Sequence, residues 1–370
     1  MRRVFFWVGG ITVILIASVA VLIRVPALQD RVVERVLAAA VRSAADDLLR
    51  EDALRVLLCG TASPLPHPSR AKSCTAVFAD GRFWVVDTGP GSWNRLALWR
   101  IPAGRIGAIL LTHFHSDHIA ELGEFNLQTW VAGRPGPLRV FGPPGVSRVV
   151  AGFEEAYALD TRYRVAHHGA ELLPEAASRM QAIPIAILGA VPGPITALGV
   201  APGPVVVHDE GGLKITAFAV DHRPVAPALG YRFDYRGRSA VVTGDTVKLA
   251  SVIEAAQGVD VLVHEAQANH IVAAIRDAAA QAGRDRIAKI MDDIPDYHTT
   301  PVEAAEVANA AGVDLVVFSH LTPPPPNRFV ERVYVRGVAD VRPEGWMLGN
   351  DGLLIELPAD SDAIDVRELD

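Results

Sequence analysis

The segment Thr112-His113-Phe114-His115-Ser116-Asp117-His118 places three imidazoles and a carboxylate within six residues, directly after the apolar run IGAILL. Imidazole nitrogen with carboxylate oxygen is the donor set of Zn²⁺ and its borderline neighbours, whereas Mg²⁺ or Ca²⁺ calls for oxygen alone. In an extended loop His113 and His115 project to one side. Asp117 and His118 come just beyond, where IAELGEF turns helical. One loop can therefore feed two adjacent ions, and the fold must bring further ligands to it.

The rest of the chain offers them in one repeated context, an apolar strand ending in a metal-type side chain. LKITAFAV precedes Asp221-His222, SAVVTG precedes Asp245, DVLV precedes His264-Glu265, and DLVVFS precedes His320. With the loop at His113 this makes five strand ends. Strand C-termini are where layered α/β proteins build sites, because the loops there vary while the strands stay rigid. The five ends are expected to share one rim. Strands near 54–59, 74–79 and 83–87, followed by alternating helices and strands, predict a layered α/β protein.

With other short motifs, these residues resemble the metallo-β-lactamase superfamily, and more narrowly its tRNase Z and arylsulfatase-like branch. The supporting pieces include Leu58-Cys59-Gly60-Thr61, Val86-Asp87-Thr88-Gly89-Pro90-Gly91, Gly230-Tyr231-Arg232-Phe233, Gly244-Asp245-Thr246, His264-Glu265-Ala266, Tyr297-His298-Thr299-Thr300-Pro301 and Ser319-His320-Leu321. The resemblance implies an αββα sandwich with two zinc ions. His113, His115 and His222 would hold the first ion, Asp117, His118 and His320 the second, and Asp245 would bridge them. It further implies a metal-bridging hydroxide as the nucleophile on an ester. His298 would protonate the leaving group, Glu265 would orient His298, and Asp117 would accept a proton beside its ligand role.

Other polar residues read as support or surface. Asp87, in a strand-to-turn segment, is expected to secure loop amides rather than hold metal. His264 is read as a satisfied polar group, and His67, His208 and His270 as surface or loop residues. His167 and His168 are adjacent on a helix and are expected to point apart. Cys59 and Cys74 fall on consecutive predicted strands, where a disulfide and two buried thiols are both open readings.

The 370 residues carry a net charge of -7, which offers no broad basic surface to a nucleic-acid backbone. Arg2 and Arg3 precede an uncharged run over 4–23, long enough to cross a bilayer as a helix. The expected organisation is a membrane anchor or signal over 1–23, a stalk helix or linker over 24–52, a catalytic domain over 53–360 and a tail over 361–370. The domain is then expected in the periplasm or outside the cell, anchored to the membrane, or secreted if the N-terminus is cleaved. Within it, residues 181–207 form an apolar Gly/Pro-rich insertion without the basic residues of an RNA-gripping arm. That insertion is read as a surface loop, or as a flap that lines a hydrophobic pocket, touches the membrane or makes a homodimer contact.

These readings predict a dinuclear zinc hydrolase acting on a small-molecule ester, first of all an arylsulfatase-like sulfate esterase. The alternatives are a tRNase Z-like phosphodiesterase, a lactone or β-lactam hydrolase, and a non-catalytic metal-dependent binding protein. Nucleic acid is not expected as a partner.

Overall fold

Runs rich in Val, Ile, Leu and Phe, punctuated by Gly, Pro and Asp, set the strands. The computed structural model describes residues 23–42, 45–187 and 203–369. The chain divides into two compact units, Met1–Ala45 and Asp46–Asp370. The larger unit begins with β1 (Ala53–Gly60), β2 (Cys74–Ala79), β3 (Arg82–Val86), β4 (Ile106–Leu110), β5 (Leu138–Gly142) and β6 (Met180–Pro184). A second set follows: β7 (Val205–Glu210), β8 (Leu213–His222), β9 (Val225–Tyr235), β10 (Arg238–Val242), β11 (Val261–Gln267), β12 (Leu315–Thr322) and β13 (Trp346–Leu348). Finally β14 (Leu353–Pro358) and β15 (Asp365–Glu368) return to the first set, so part of the segment read as a tail is an edge strand.

One sheet runs β15-β14-β1-β2-β3-β4-β5-β6 and the other β13-β12-β11-β10-β9-β8-β7. Their facing sides make one core, with Leu54, Val56, Leu58, Trp84 and Val86 on one side and Ile215, Tyr231, Phe233, Val263 and Val317 on the other. Strand β12 shows the alternation that builds it. Val317 points into this core, while Val316 and Phe318 face the opposite side. There they meet Ala304, Ala305 and Ala308 of the helix Pro301–Ala311 and Tyr334 of the helix Arg328–Tyr334. On the first sheet the helix Leu122–Val131 contributes Leu127 and Trp130 to an outer apolar cluster. Helices thus cover both sheets, giving the αββα layering expected from the sequence.

Strands β3 to β6 pair in parallel, as do β10 to β13. Parallel pairing lines up C-terminal ends, which is how β4, β10, β11 and β12 come to deliver their loops to one edge. The helix after His298 is fixed at its start by a reciprocal capping box between Thr300 and Glu303, with Pro301 in the first turn and Gly312 closing the end. At Gly244 (φ +64°) a Cβ would come within 2.8 Å of Thr112, so the turn that presents Asp245 requires glycine.

The membrane-spanning part of the expected fold is corrected. Among the described residues no helix is long and apolar enough to cross a membrane. The helix Pro26–Arg42 has 17 residues and includes Asp30, Arg31, Glu34, Arg35 and Arg42. The apolar run over 4–23 lies outside the described residues apart from its last residue. The expected membrane anchoring, with a periplasmic or extracellular catalytic domain, is withdrawn on this finding. The apolar insertion over 181–207 starts in β6 and ends in β7, and its residues 188–202 lie outside the described residues. Cys59 and Cys74 are joined in a disulfide, across the β1–β2 register that sets Gly60 opposite Cys74.

Candidate metal centre

Two groups of donors converge at this edge. His113, His115, His222 and Asp245 form the first, and Asp117, His118 and His320 the second, each with ligand atoms within 4.8 Å of one another. Asp245 joins the groups. Its Oδ2 lies 3.9 Å from His113 Nε2, 3.7 Å from His222 Nε2 and 3.4 Å from His118 Nε2, and its Oδ1 lies 3.3 Å from His320 Nδ1. Asp117 Oδ2 is 3.2 Å from His320 Nε2 and 3.6 Å from His118 Nε2. The loop over 112–118, β8, the turn after β10, and β12 therefore each place at least one donor here.

The hydrogen bonds on the far side of the rings explain their orientation. His118 Nδ1 donates to Asp87 Oδ2 at 2.7 Å, and His222 Nδ1 donates to the Tyr297 carbonyl at 2.9 Å. The Thr112 hydroxyl donates to Asp87 Oδ2 at 2.8 Å, so it accepts from His113 Nδ1 at 3.1 Å. In all three rings the proton is drawn to Nδ1, and the Nε2 lone pair faces the other donors. That is the usual arrangement of a histidine held for a metal.

The donor set fits zinc on this structure's own terms. His118 Nε2 and His320 Nε2 are 3.3 Å apart, and His113 Nε2 and His115 Nδ1 are 3.0 Å apart. Lone pairs crowded this way repel unless a proton or cation lies among them. His222 Nε2, Asp245 Oδ1 and His320 Nδ1 are buried and lack a hydrogen-bond partner, a costly state that a cation relieves.

Electrostatics follow from this crowding. Burial opposes ionisation of Asp245, but the His320 and His118 imidazoles outweigh it and hold the carboxyl well below the usual range. Burial also works against a charged His118, yet Asp245 and Asp87 hold its pKa well above that of free imidazole. His113 goes the other way, pushed well down by burial and then by His118.

Beside the clusters stands a pair of a different kind. Glu265 Oε1 accepts from His298 Nδ1 at 2.9 Å and from the backbone amides of Thr246 at 3.2 Å and Thr299 at 3.1 Å. Burial lowers the His298 pKa and the Glu265 carboxylate more than reverses it, leaving it above the ordinary value. His298 also lies within reach of Asp245 and His320, so the geometry admits a ligand role as well as an acid role.

The remaining sequence expectations fall into place around this centre. Asp87 secures a loop amide, as read, through Oδ1 to Thr112 N at 2.8 Å, but its other oxygen orients His118. Replacing Asp87 by alanine is expected to weaken zinc affinity about 10- to 100-fold, read in a competition titration. Thr112 and the Tyr297 carbonyl orient ligands and were not singled out by the sequence. His264, read as satisfied, is buried with Nδ1 bonded to the Glu265 carbonyl but Nε2 without a partner, so the reading holds for one nitrogen only. His67 and His270 lie in a loop and on an exposed helix end, but His208 is a correction. It is buried in β7 with its ring 4.4 Å from that of Trp84. The rings of His167 and His168 meet edge to face at 4.7 Å rather than pointing apart, on exposed residues outside the donor groups.

A family profile described as Beta-lactamase superfamily domain matches residues 82–321. The chain belongs to the metallo-β-lactamase superfamily. A protein named Ribonuclease Z from Mycobacterium marinum is 38% identical over 273 residues, covering 73% of this chain and 87% of that protein. Among solved structures, the metallo-β-lactamase fold protein YhfI from Bacillus subtilis aligns with a TM-score of 0.55 at 19% identity, covering 82% of this chain and all of that one. The short form of human tRNase Z aligns with a TM-score of 0.54 at 20% identity, over 82% and 99% of the two chains. At such identity these two speak for the fold alone. The ribonuclease Z relative overturns the expectation that nucleic acid is no partner for a superfamily member like this one. The chain is a hydrolase of this superfamily, and its donor clusters could bind metal.

Proposed function

We propose that the chain is a zinc-dependent phosphodiesterase that cleaves RNA, as its ribonuclease Z relatives are named to do. The observation that carries this reading is the 38% identity to Ribonuclease Z along 87% of that protein. Sulfate-ester hydrolysis, the first expectation from the sequence, ranks below it because the relatives carry the nuclease name.

In this reading His113, His115 and His222 would hold one zinc ion and Asp117, His118 and His320 the other, with Asp245 as a ligand shared between the two groups. When bound, the ions neutralise charge on the phosphoryl group and make water acidic enough to attack near neutral pH. The chain's own residues do the rest. Asp87, Thr112 and the Tyr297 carbonyl keep three ligand imidazoles in one tautomer and one orientation. Glu265 favours the charged form of His298 and fixes its ring through Nδ1, leaving Nε2 to protonate the departing oxygen.

The test uses the zinc-loaded full chain and three substrates: a precursor tRNA with a 3′ extension, an aryl phosphodiester, and an aryl sulfate with the same leaving group. Cleavage of the RNA at one junction, with the phosphodiester preferred to the sulfate in kcat/KM, is the expected result. A clear preference for the sulfate would overturn the reading.

A further inference from the structure

Between the two sheets, with Asp245 and His320 in its wall, lies a cavity of about 20 Å³. Its polar lining includes Ser73 and Thr75 from the first sheet side and Thr243, Glu265 and Ser319 from the second, with Asp87 between. Three of these groups have unused capacity. Glu265 is 3% exposed, and while its Oε1 takes three hydrogen bonds its Oε2 takes none. Thr75 and Ser319 are 4% and 7% exposed, and neither side chain bonds to another described residue.

A buried carboxylate oxygen with no donor is costly, and the Thr75 and Ser319 hydroxyls line the same space with bonding capacity to spare. The cavity exceeds the roughly 10–15 Å³ that one water needs, and polar partners are what make such a space wet rather than dry. A bound metal cation fits less well. Val86, Val242 and Val263 make up part of the wall, and the Asp87 and Asp245 carboxylates in it are already engaged by Thr112, His118 and His320, which leaves Glu265 and the hydroxyls, fewer free oxygens than a hard cation demands.

We propose that one ordered water occupies this cavity, donating to Glu265 Oε2 and bonding the hydroxyls of Thr75 and Ser319. The water ties the acid pair to both sheets. With Oε1 bound to two amides and His298, and Oε2 bound to the water, the Glu265 carboxylate cannot rotate, and His298 Nε2 is held at one place over the centre. Thr75 and Ser319 are then positioning residues that act through Glu265 without touching substrate. The kinetic part of this inference rests on the phosphodiesterase reading, whereas the water site does not.

A crystal structure of the zinc-loaded full chain, at a resolution that shows ordered water, is expected to place one peak within hydrogen-bond distance of Glu265 Oε2, Thr75 and Ser319. An empty cavity, or a peak with the coordination of a cation, overturns the proposal. Thr75→Val keeps the shape and removes the hydroxyl. It is expected to lower kcat on the order of tenfold at unchanged KM and zinc content, with Thr75→Ser restoring most of the loss. A structural role alone would lower thermal stability without separating kcat from KM. Unchanged kcat in Thr75→Val overturns the positioning role even where the water is seen. A wild type that cleaves no RNA counts against the phosphodiesterase reading, and the crystal structure then decides the water site by itself.

Discussion

Replacing Asp245 by alanine is expected to reduce kcat/KM by at least about a thousandfold, because several kcal/mol of transition-state stabilisation depend on two ions held together. Asp245 lies 3.3–3.9 Å from imidazole nitrogens of both groups proposed to hold the ions. Its removal also leaves His113, His118, His222 and His320 buried without their shared counter-charge. The zinc content should therefore fall below two equivalents while the sheets, whose core lies apart from this carboxylate, stay folded. Metal analysis and circular dichroism on the same sample check both halves. Asp245→Asn, which keeps the shape but not the charge, should behave nearly as badly. Two tightly bound zinc ions with wild-type turnover in Asp245→Ala would remove Asp245 from the centre.

The donors of this centre were legible because they are side chains of distinctive type placed after apolar strands. Strands that run the same way end at the same edge, which makes Asp245 and His320 legible through the parallel pairing of β10 to β12 and His222 through β8, two antiparallel steps away from β10. What orients the donors was far less legible. The Tyr297 carbonyl that holds His222 is backbone, and a carbonyl leaves no signature in sequence. Asp87 reads as a loop carboxylate, and only the left-handed turn it adopts, φ 62°, lets one oxygen reach a loop amide and the other reach His118. His208 sits in VVVHDE, whose charged end suggests a surface, yet at the register shift between Val206 and His208 it turns inward onto Trp84, with Val205 and Val207 also packed against the core. The cysteine pair depended on the β1–β2 register, which composition does not encode. Net charge misled in a similar way. A value of -7 describes the whole surface, whereas a nucleic acid answers to the local field of a cleft that contains metal.

Replacing His298 by alanine is expected to lower kcat for RNA by about 10²- to 10⁴-fold, the range set by losing a positioned general acid. Both zinc ions should remain. The seven residues proposed to hold the ions do not include His298, and its Nδ1 is committed to Glu265. The size of the loss should depend on the substrate, and that dependence identifies the role. An alkoxide leaving from ribose needs a proton as its bond breaks, whereas a nitrophenolate is stable enough to leave without one. An aryl phosphodiester with a nitrophenolate leaving group should therefore lose much less, within about tenfold, in the same variant. Equal losses on both substrates would argue that His298 shapes the centre instead of donating a proton. Loss of one zinc equivalent would assign it the ligand role with Asp245 and His320 that their proximity also permits. Glu265→Gln completes the argument, because an amide can still accept from His298 Nδ1 but no longer favours its charged form. A substrate-dependent loss in the same order, and smaller than that of His298→Ala, would show that Glu265 keeps His298 charged while the proton itself passes from His298 Nε2 to the departing oxygen.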